Sequence, residues 1–220
     1  DVSTLNGSNG FRINDTSTYI FPWNASGAGD INGDGISDIL IGVFNPNGNE
    51  DAKCYVVFGK DTNIKGNFPA MFQLSSLNGL NGFVINGVTP GDRIGFSVSR
   101  AGDVNADGVD DIIIGAPTNR IGNKGKCYVI FGRNTFGQAL NLSSLNGLNG
   151  FSVTEHYGGR LGLSVSGAGD VNADGIDDVI MGGDGYSCIV FGRNTVTGDP
   201  FPTSVTTDIL RSDEGYIVLA

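Results

Sequence analysis

A chain of 220 residues carrying 36 glycines, 23 acidic side chains and 13 basic ones, with a formal charge of −10, is long enough to bury a sizeable core. It is also too acidic for a nucleic-acid binder, since phosphate recognition needs clustered Lys and Arg. No apolar run approaches the length of a membrane-spanning helix, so direct membrane insertion is not expected.

In chain order, the first strand-like run is Gly10-Phe-Arg-Ile13. Phe21-Pro22-Trp23-Asn24-Ala25-Ser26 follows, with a proline that removes one ladder donor. An acidic loop, Asp30 to Asp38, then runs into Asp38-Ile-Leu-Ile-Gly42, and Gly82-Phe-Val-Ile85 closes the first unit. The second unit reads Gly91-Asp-Arg-Ile-Gly95-Phe-Ser-Val-Ser99, an acidic loop from Asp103, Asp111 to Ala116, Lys126-Cys-Tyr-Val-Ile-Phe-Gly132 and Gly150-Phe-Ser-Val-Thr154. The third has its loop at Asp170, the run Asp178-Val-Ile-Met-Gly182, a tight Gly183-Asp-Gly-Tyr186 hairpin and Gly215-Tyr-Ile-Val218. No helical period of 3.6 residues is sustained anywhere, and β-branched runs alternate with Gly and Asn, so the class is all-β. Equivalent Asp residues lie 73 and 67 residues apart, at Asp30, Asp103 and Asp170. Each unit holds about four short strands, the signature of a β-propeller blade.

The three loops share one pattern, D-x-N-x-D-G-x-x-D. Oxygen donors stand at positions 1, 3, 5 and 9: Asp30, Asn32, Asp34 and Asp38; Asp103, Asn105, Asp107 and Asp111; Asp170, Asn172, Asp174 and Asp178. Hard oxygen donors around a glycine turn suit a hard cation, and Ca²⁺ above all. An EF-hand is excluded, because position 12 is Ile41, Ile114 or Met181 instead of a bidentate Glu and a strand follows in place of a helix. Asp, Asn and Gly also form turns without any ion. Three copies holding all four donor positions argue for the ion. Three bound Ca²⁺ would bring the net charge to about −4, so a fold stabilised by metal is expected.

Ile94-Gly95-Phe96-Ser97-Val98, Ala101-Gly-Asp103-Val-Asn-Ala-Asp-Gly and Ile114-Gly115-Ala116-Pro117 together resemble the FG-GAP repeat of integrin α-subunit propellers and of bacterial surface arrays. The resemblance covers essentially the whole chain. It implies antiparallel four-stranded blades with the Phe-Ser-Val strand innermost, the Gly-Ala-Pro strand second, the Tyr-Val-Ile-Phe-Gly strand third and the Gly-Phe-Val-Ile strand outermost. It also implies calcium loops between the first two strands and further ligands from the backbone carbonyls of Ile36, Val109 and Ile176. The Gly-Ala-Pro turn is replaced by Gly42-Val-Phe44 and Gly182-Gly-Asp184. The rim loops therefore depart from the pattern, and the longer ones of the first two units are the better candidates for a ligand site.

Counted by type, the outermost strand occurs four times and the others three times. The expected organisation is a spare outer strand over 1–14 and blades over 15–86, 87–154 and 155–220. Three blades do not readily close a ring, so the ring is incomplete alone. Either the chain is a segment of a longer array, or a protein partner or further copies of the chain complete the propeller by adding to its edges. Cys54, Cys127 and Cys188 read as one slot of the third strand, pointing into separate inter-sheet spaces, and are not expected to pair. His156 reads as a solvated connection residue, with no catalytic partner in the sequence. Phe58, Phe131 and Phe191 read as inter-blade core. Sequons at Asn6, Asn14, Asn24 and Asn141 say little in a chain this rich in Asn, Ser and Thr, and no glycan ligand is resolved. Extracellular calcium modules bind at about 10⁻⁴ to 10⁻³ M, which points outside the cell. The function expected is a calcium-binding, non-catalytic propeller module for adhesion, recognition or assembly; the alternative is the non-catalytic propeller of a secreted hydrolase.

Overall fold

A computed structural model describes residues 1–15, 21–44, 52–89, 91–118, 124–156, 159–207 and 215–219. Its strands are β1 (Arg12–Asn14), β2 (Phe21–Gly29), β3 (Asp38–Phe44), β4 (Lys53–Val57), β5 (Met71–Gln73), β6 (Gly82–Asn86), β7 (Ser97–Gly102), β8 (Asp111–Ala116), β9 (Lys126–Ile130) and β10 (Ala139–Asn141). They continue with β11 (Gly150–Thr154), β12 (Ser164–Gly169), β13 (Asp178–Gly183), β14 (Tyr186–Val190), β15 (Ser204–Thr206) and β16 (Gly215–Leu219). One four-residue helix, α1 (Thr62–Lys65), interrupts the first unit.

The antiparallel cores of the blades run β2-β3-β4-β6, β7-β8-β9-β11 and β12-β13-β14-β16 from the innermost strand outward. That is the order the sequence implies. Pro22 is tolerated because β2 bulges immediately after it, leaving Trp23 without a partner in the ladder. The shortened hairpin of the third blade is seen as Gly183 facing Tyr186, with Gly185 at φ +75°.

The outer strands β1, β6 and β11 each carry a parallel neighbour that the sequence reading lacks. β10 pairs with β6 and β15 with β11, so the following unit lends one short strand to the blade before it. β5 does the same for β1, with Arg12 opposite Met71 and Asn14 opposite Gln73. The spare N-terminal strand is therefore seated on the first blade's own connection. Stacked phenylalanines hold all three junctions: Phe11 on Phe68 at 4.3 Å, Phe83 on Phe136 at 4.1 Å and Phe151 on Phe201 at 4.2 Å between centroids. A cation covers the far face of each stack, Lys60 at 4.7 Å, Arg133 at 4.5 Å and Arg193 at 5.4 Å.

Strand alternation sends side chains to opposite faces, and the blades bury those faces against one another. Leu40, Val56 and Ile85 of the first blade meet Val98, Ile112, Ile114 and Ile130 of the second. Ile113, Val129 and Val153 of the second meet Val179, Met181 and Val190 of the third. Near the axis the backbones approach so closely that a Cβ at Gly42 or Gly115 would overlap the carbonyl of Gly95 or Gly162 in the next blade. The recurring glycine at the end of the second strand is there for that contact.

All three cysteines are buried and free, but they do not share one slot. Cys54 and Cys127 face Gly42 and Gly115, whereas Cys188 faces Met181, the register position of Tyr55 and Tyr128. Cys188 is shifted by one residue and so flips to the opposite face, where it joins Cys127 in the interface between the second and third blades. Phe58, Phe131 and Phe191 are buried as expected. The second-to-third-strand connections of the first two units, expected as candidate rim loops, run through 45–51 and 119–123, which lie outside the described residues.

Phe151 is fully buried between Phe131 and Phe201, so Phe151→Ala should destabilise the chain by about 3–5 kcal/mol in urea unfolding. A loss under about 1 kcal/mol would show that the aromatic junction does not hold the blades.

Candidate metal centre

Each acidic loop leaves the innermost strand, turns through its glycine and enters the second strand at the ninth-position aspartate. In the first, Asp30 accepts from the N–H groups of Asp34 at 2.9 Å and Gly35 at 2.7 Å. Asn32 accepts from Asp34 N–H at 2.9 Å, and Asp34 accepts from Ile36 N–H at 3.0 Å. Asp38 sits beneath, 2% exposed, with one oxygen on Ile31 N–H at 3.1 Å and the other on Gly59 N–H at 2.7 Å.

The second and third loops repeat this geometry. Asp103 accepts from Asp107 and Gly108, Asn105 from Asp107, and Asp107 from Val109. Asp170 accepts from Asp174 and Gly175, Asn172 from Asp174, and Asp174 from Ile176. Asp111 and Asp178, both 0% exposed, bridge Val104 to Gly132 and Val171 to Gly192. Asn105 and Asn172 also donate to Asp107 and Asp174 at 2.8 Å. The structure brings all twelve side chains named from sequence into these three loops and fixes Ile36, Val109 and Ile176 through their N–H groups.

Among the described residues, no three His, Cys, Asp or Glu side chains are gathered around one point as a formed metal cage. The carboxylates face the loop's own amides instead. An ionised carboxylate oxygen engaged with one N–H keeps a further lone pair, so the donors are not exhausted. The donor set is wholly oxygen, which fits a hard cation and no soft one. Electrostatics also favour a positive charge at the loops. Burial pushes the Asp38 carboxyl up from near 3.8 to about 7, with Asp34 and Asp30 adding to the rise and the Gly59 and Ile31 amides opposing it. Burial raises Asp111 well above the usual carboxylate range and raises Asp178 as well. Each loop thus concentrates negative charge around a desolvated carboxylate.

Functional residues also lie outside the donor list. Asp110 and Asp177, at loop position 8, accept from the N–H groups of Asp30 at 2.8 Å and Asp103 at 3.0 Å in the preceding blade. The Asp-Asp doublets 110–111 and 177–178, against Ser37-Asp38, carry that signal in the sequence. On the connections between blades, Tyr55 donates to Asp15 at 3.3 Å and Tyr186 to Glu155 at 3.1 Å. Burial first, and Asp15 next, push the Tyr55 hydroxyl up to about 12. His156 is exposed, and its N–H donates to Thr207 Oγ1; its neighbours Tyr157 and Gly158 lie outside the described residues.

Residues 95–130 match the FG-GAP repeat model. The chain is 31% identical over 166 residues to integrin alpha-V of Gallus gallus, covering 74% of this chain and 15% of that protein. It is 28% identical over 195 residues to integrin alpha pat-2 of Caenorhabditis elegans, covering 82% and 15%. With integrin alpha-8 of Homo sapiens it shares 26% over 179 residues, 77% and 15%. The chain is an array of propeller blades, and the match and these relatives make it an FG-GAP domain of the integrin α type. It spans about 15% of the length of these relatives. Among the described residues no helix is long and apolar enough to cross a membrane.

The raised Asp38 sets the sign of a pH effect. Its folded-state carboxyl binds a proton more tightly than an unfolded aspartate does, so its contribution to stability is full below about pH 4 and is lost as pH rises towards 7. In excess chelator, urea unfolding should show falling stability across that window, and Asp38→Asn should reduce the slope. An unchanged slope would place the titration elsewhere.

Proposed function

We propose that the chain is a calcium-binding, non-catalytic propeller module of an extracellular or cell-surface protein, serving adhesion, recognition or assembly. The observation that carries this is the same buried ninth-position carboxylate beneath the same loop of oxygen donors in three successive blades. In the first site Asp30, Asn32, Asp34, Asp38 and the Ile36 carbonyl hold Ca²⁺. Asp103, Asn105, Asp107, Asp111 and the Val109 carbonyl form the second. Asp170, Asn172, Asp174, Asp178 and the Ile176 carbonyl form the third. The ion offsets the charge that burial makes costly at Asp38, Asp111 and Asp178 and so rigidifies the turn into each second strand. These aspartates are committed to structure, which argues against an acid–base role for them. The relatives named above are integrin α subunits, which favours adhesion over an appendage to a hydrolase.

The module works joined to further protein. Among the described residues, β1 has no neighbour on its inner edge, although β6 and β11 have β4 and β9 there. Beside it a cavity of about 420 Å³ opens between β1 and the inner half of the first blade, lined by Ile13, Ala25, Ile39, Ile41, Val43 and Leu74. Their counterparts at the joint of the first two blades, Ile85, Val98, Ile112, Ile114, Ala116 and Leu142, are all buried. Inner strands of another blade, from a longer array, a partner or another copy, fill that space.

Calcium titration by calorimetry tests the metal assignment. The chain should take up three ions at about 10⁻⁴ to 10⁻³ M. Asp107→Ala, at an exposed position that spares the buried Asp111, should take up two. Three ions in the variant would remove the loop assignment.

A further inference from the structure

We infer that the outer face of the third blade is a socket for a further blade carrying aspartate at position 8 of its acidic loop. The chain's own first blade, with Ser37 there, is not its matched occupant. This rests on the reading that further blades complete the module, and it adds the chemistry of the joint.

Two joints inside the chain define the fitting. At the first, the Asp110 carboxylate reaches across to Asp30 N–H at 2.8 Å, while Arg133 N–H donates to the Ile31 carbonyl at 2.9 Å. At the second, Asp177 takes Asp103 N–H at 3.0 Å and Arg193 N–H donates to the Val104 carbonyl at 2.9 Å. Thr195 N–H adds a bond to the Asn105 carbonyl at 3.1 Å. The later blade thus always supplies the carboxylate and the turn after its third strand. The earlier blade supplies the first loop amide and the second loop carbonyl.

The earlier blade is shaped for this carboxylate. Gly29 and Gly102 adopt φ of +68° and +84°, and a Cβ on either would run into the carboxylate of Asp110 or Asp177. The positive φ calls for glycine, and the latch fills the space that a Cβ would take. In the third blade Gly169 has the same conformation, φ +69°, and nothing within 4 Å of where its Cβ would stand. Among the described residues, Asp170 N–H has no acceptor. Val171, at loop position 2, is 50% exposed, whereas Ile31 and Val104 are 0% exposed beneath the next blade. An apolar side chain, an amide and a glycine seat are therefore presented together, in the arrangement that two earlier blades use to receive an aspartate.

The first blade cannot supply the missing group. Ser37 stands where Asp110 and Asp177 stand, and its hydroxyl is shorter and uncharged. Hydrogen bonds to an ionised acceptor are about twice as strong as neutral ones, so the substitution weakens the joint as well as shortening its reach. Head-to-tail copies of this chain would meet at an unlatched joint, and a blade with the Asp-Asp doublet fits better.

The test extends the full chain by a second copy of residues 156–220, which carries its own Asp177, and compares it with the same extension bearing Asp177→Ser in the added copy. Amide hydrogen exchange of Asp170 is read in both. Docking through the latch should slow that amide by about tenfold or more with aspartate and much less with serine. Equal slowing by both extensions would overturn the latch and leave the need for further blades standing. No slowing by either would overturn both. Within the unextended chain, Asp110→Ser should speed exchange at Asp30 by a similar factor, and an unchanged rate there would also count against the latch.

Discussion

A carboxylate shut away from water at the ninth loop position is the constraint on which each blade depends. Asp38, Asp111 and Asp178 each join the start of the acidic loop to the turn after the third strand, through the amides of Ile31 and Gly59, Val104 and Gly132, or Val171 and Gly192. One side chain thereby fixes the spacing of three strands. Burying it without a cation is costly, and the two amide bonds offset only part of that cost. The loop's other oxygen donors stand above it, engaged with the loop's own amides.

From that pin the remaining order follows by repetition. Once the second and third strands are locked, their period of two points Leu40 and Val56 to one side, beside Ile85 of the outer strand, and the next blade must cover them. The acidic loop of one blade then lies against the turn of the next, where Arg133 and Arg193 donate to the Ile31 and Val104 carbonyls. At the periphery, Phe83 with Phe136 and Phe151 with Phe201 close the same joints. Such a stack has no natural stop, so its two ends show what a neighbour would bury: the cavity beside β1 and the exposed Val171.

The strands and loops were legible because their signals are local. Asp and Gly at fixed offsets, followed by β-branched runs, define both the turn and the strand after it. The added strands were not, because Met71-Phe-Gln73 and Ala139-Leu-Asn141 are too short to show alternation. A signal for them does exist in the identical runs Leu74-Ser-Ser-Leu-Asn-Gly-Leu-Asn-Gly-Phe83 and Leu142 to Phe151, which repeat the turn that follows each added strand. Aligning the third strand by its cysteine puts Cys188 one residue out of register. Counting back from Phe191-Gly192, as from Phe58-Gly59, gives the observed register. Asp110 and Asp177 stand in the sequence as doublets with Asp111 and Asp178, but only a three-dimensional neighbour reveals what a position-8 carboxylate reaches.

Thermal unfolding of the unmodified chain, followed in 10 mM calcium and again in excess EGTA at the same pH and ionic strength, tests the central claim most directly. Three sites filled in the folded state alone should raise the melting temperature by at least about 10 °C, and magnesium should not substitute fully. Coincident melts in calcium and in chelator would contradict the account, because the buried carboxylates would then be stable without the ion.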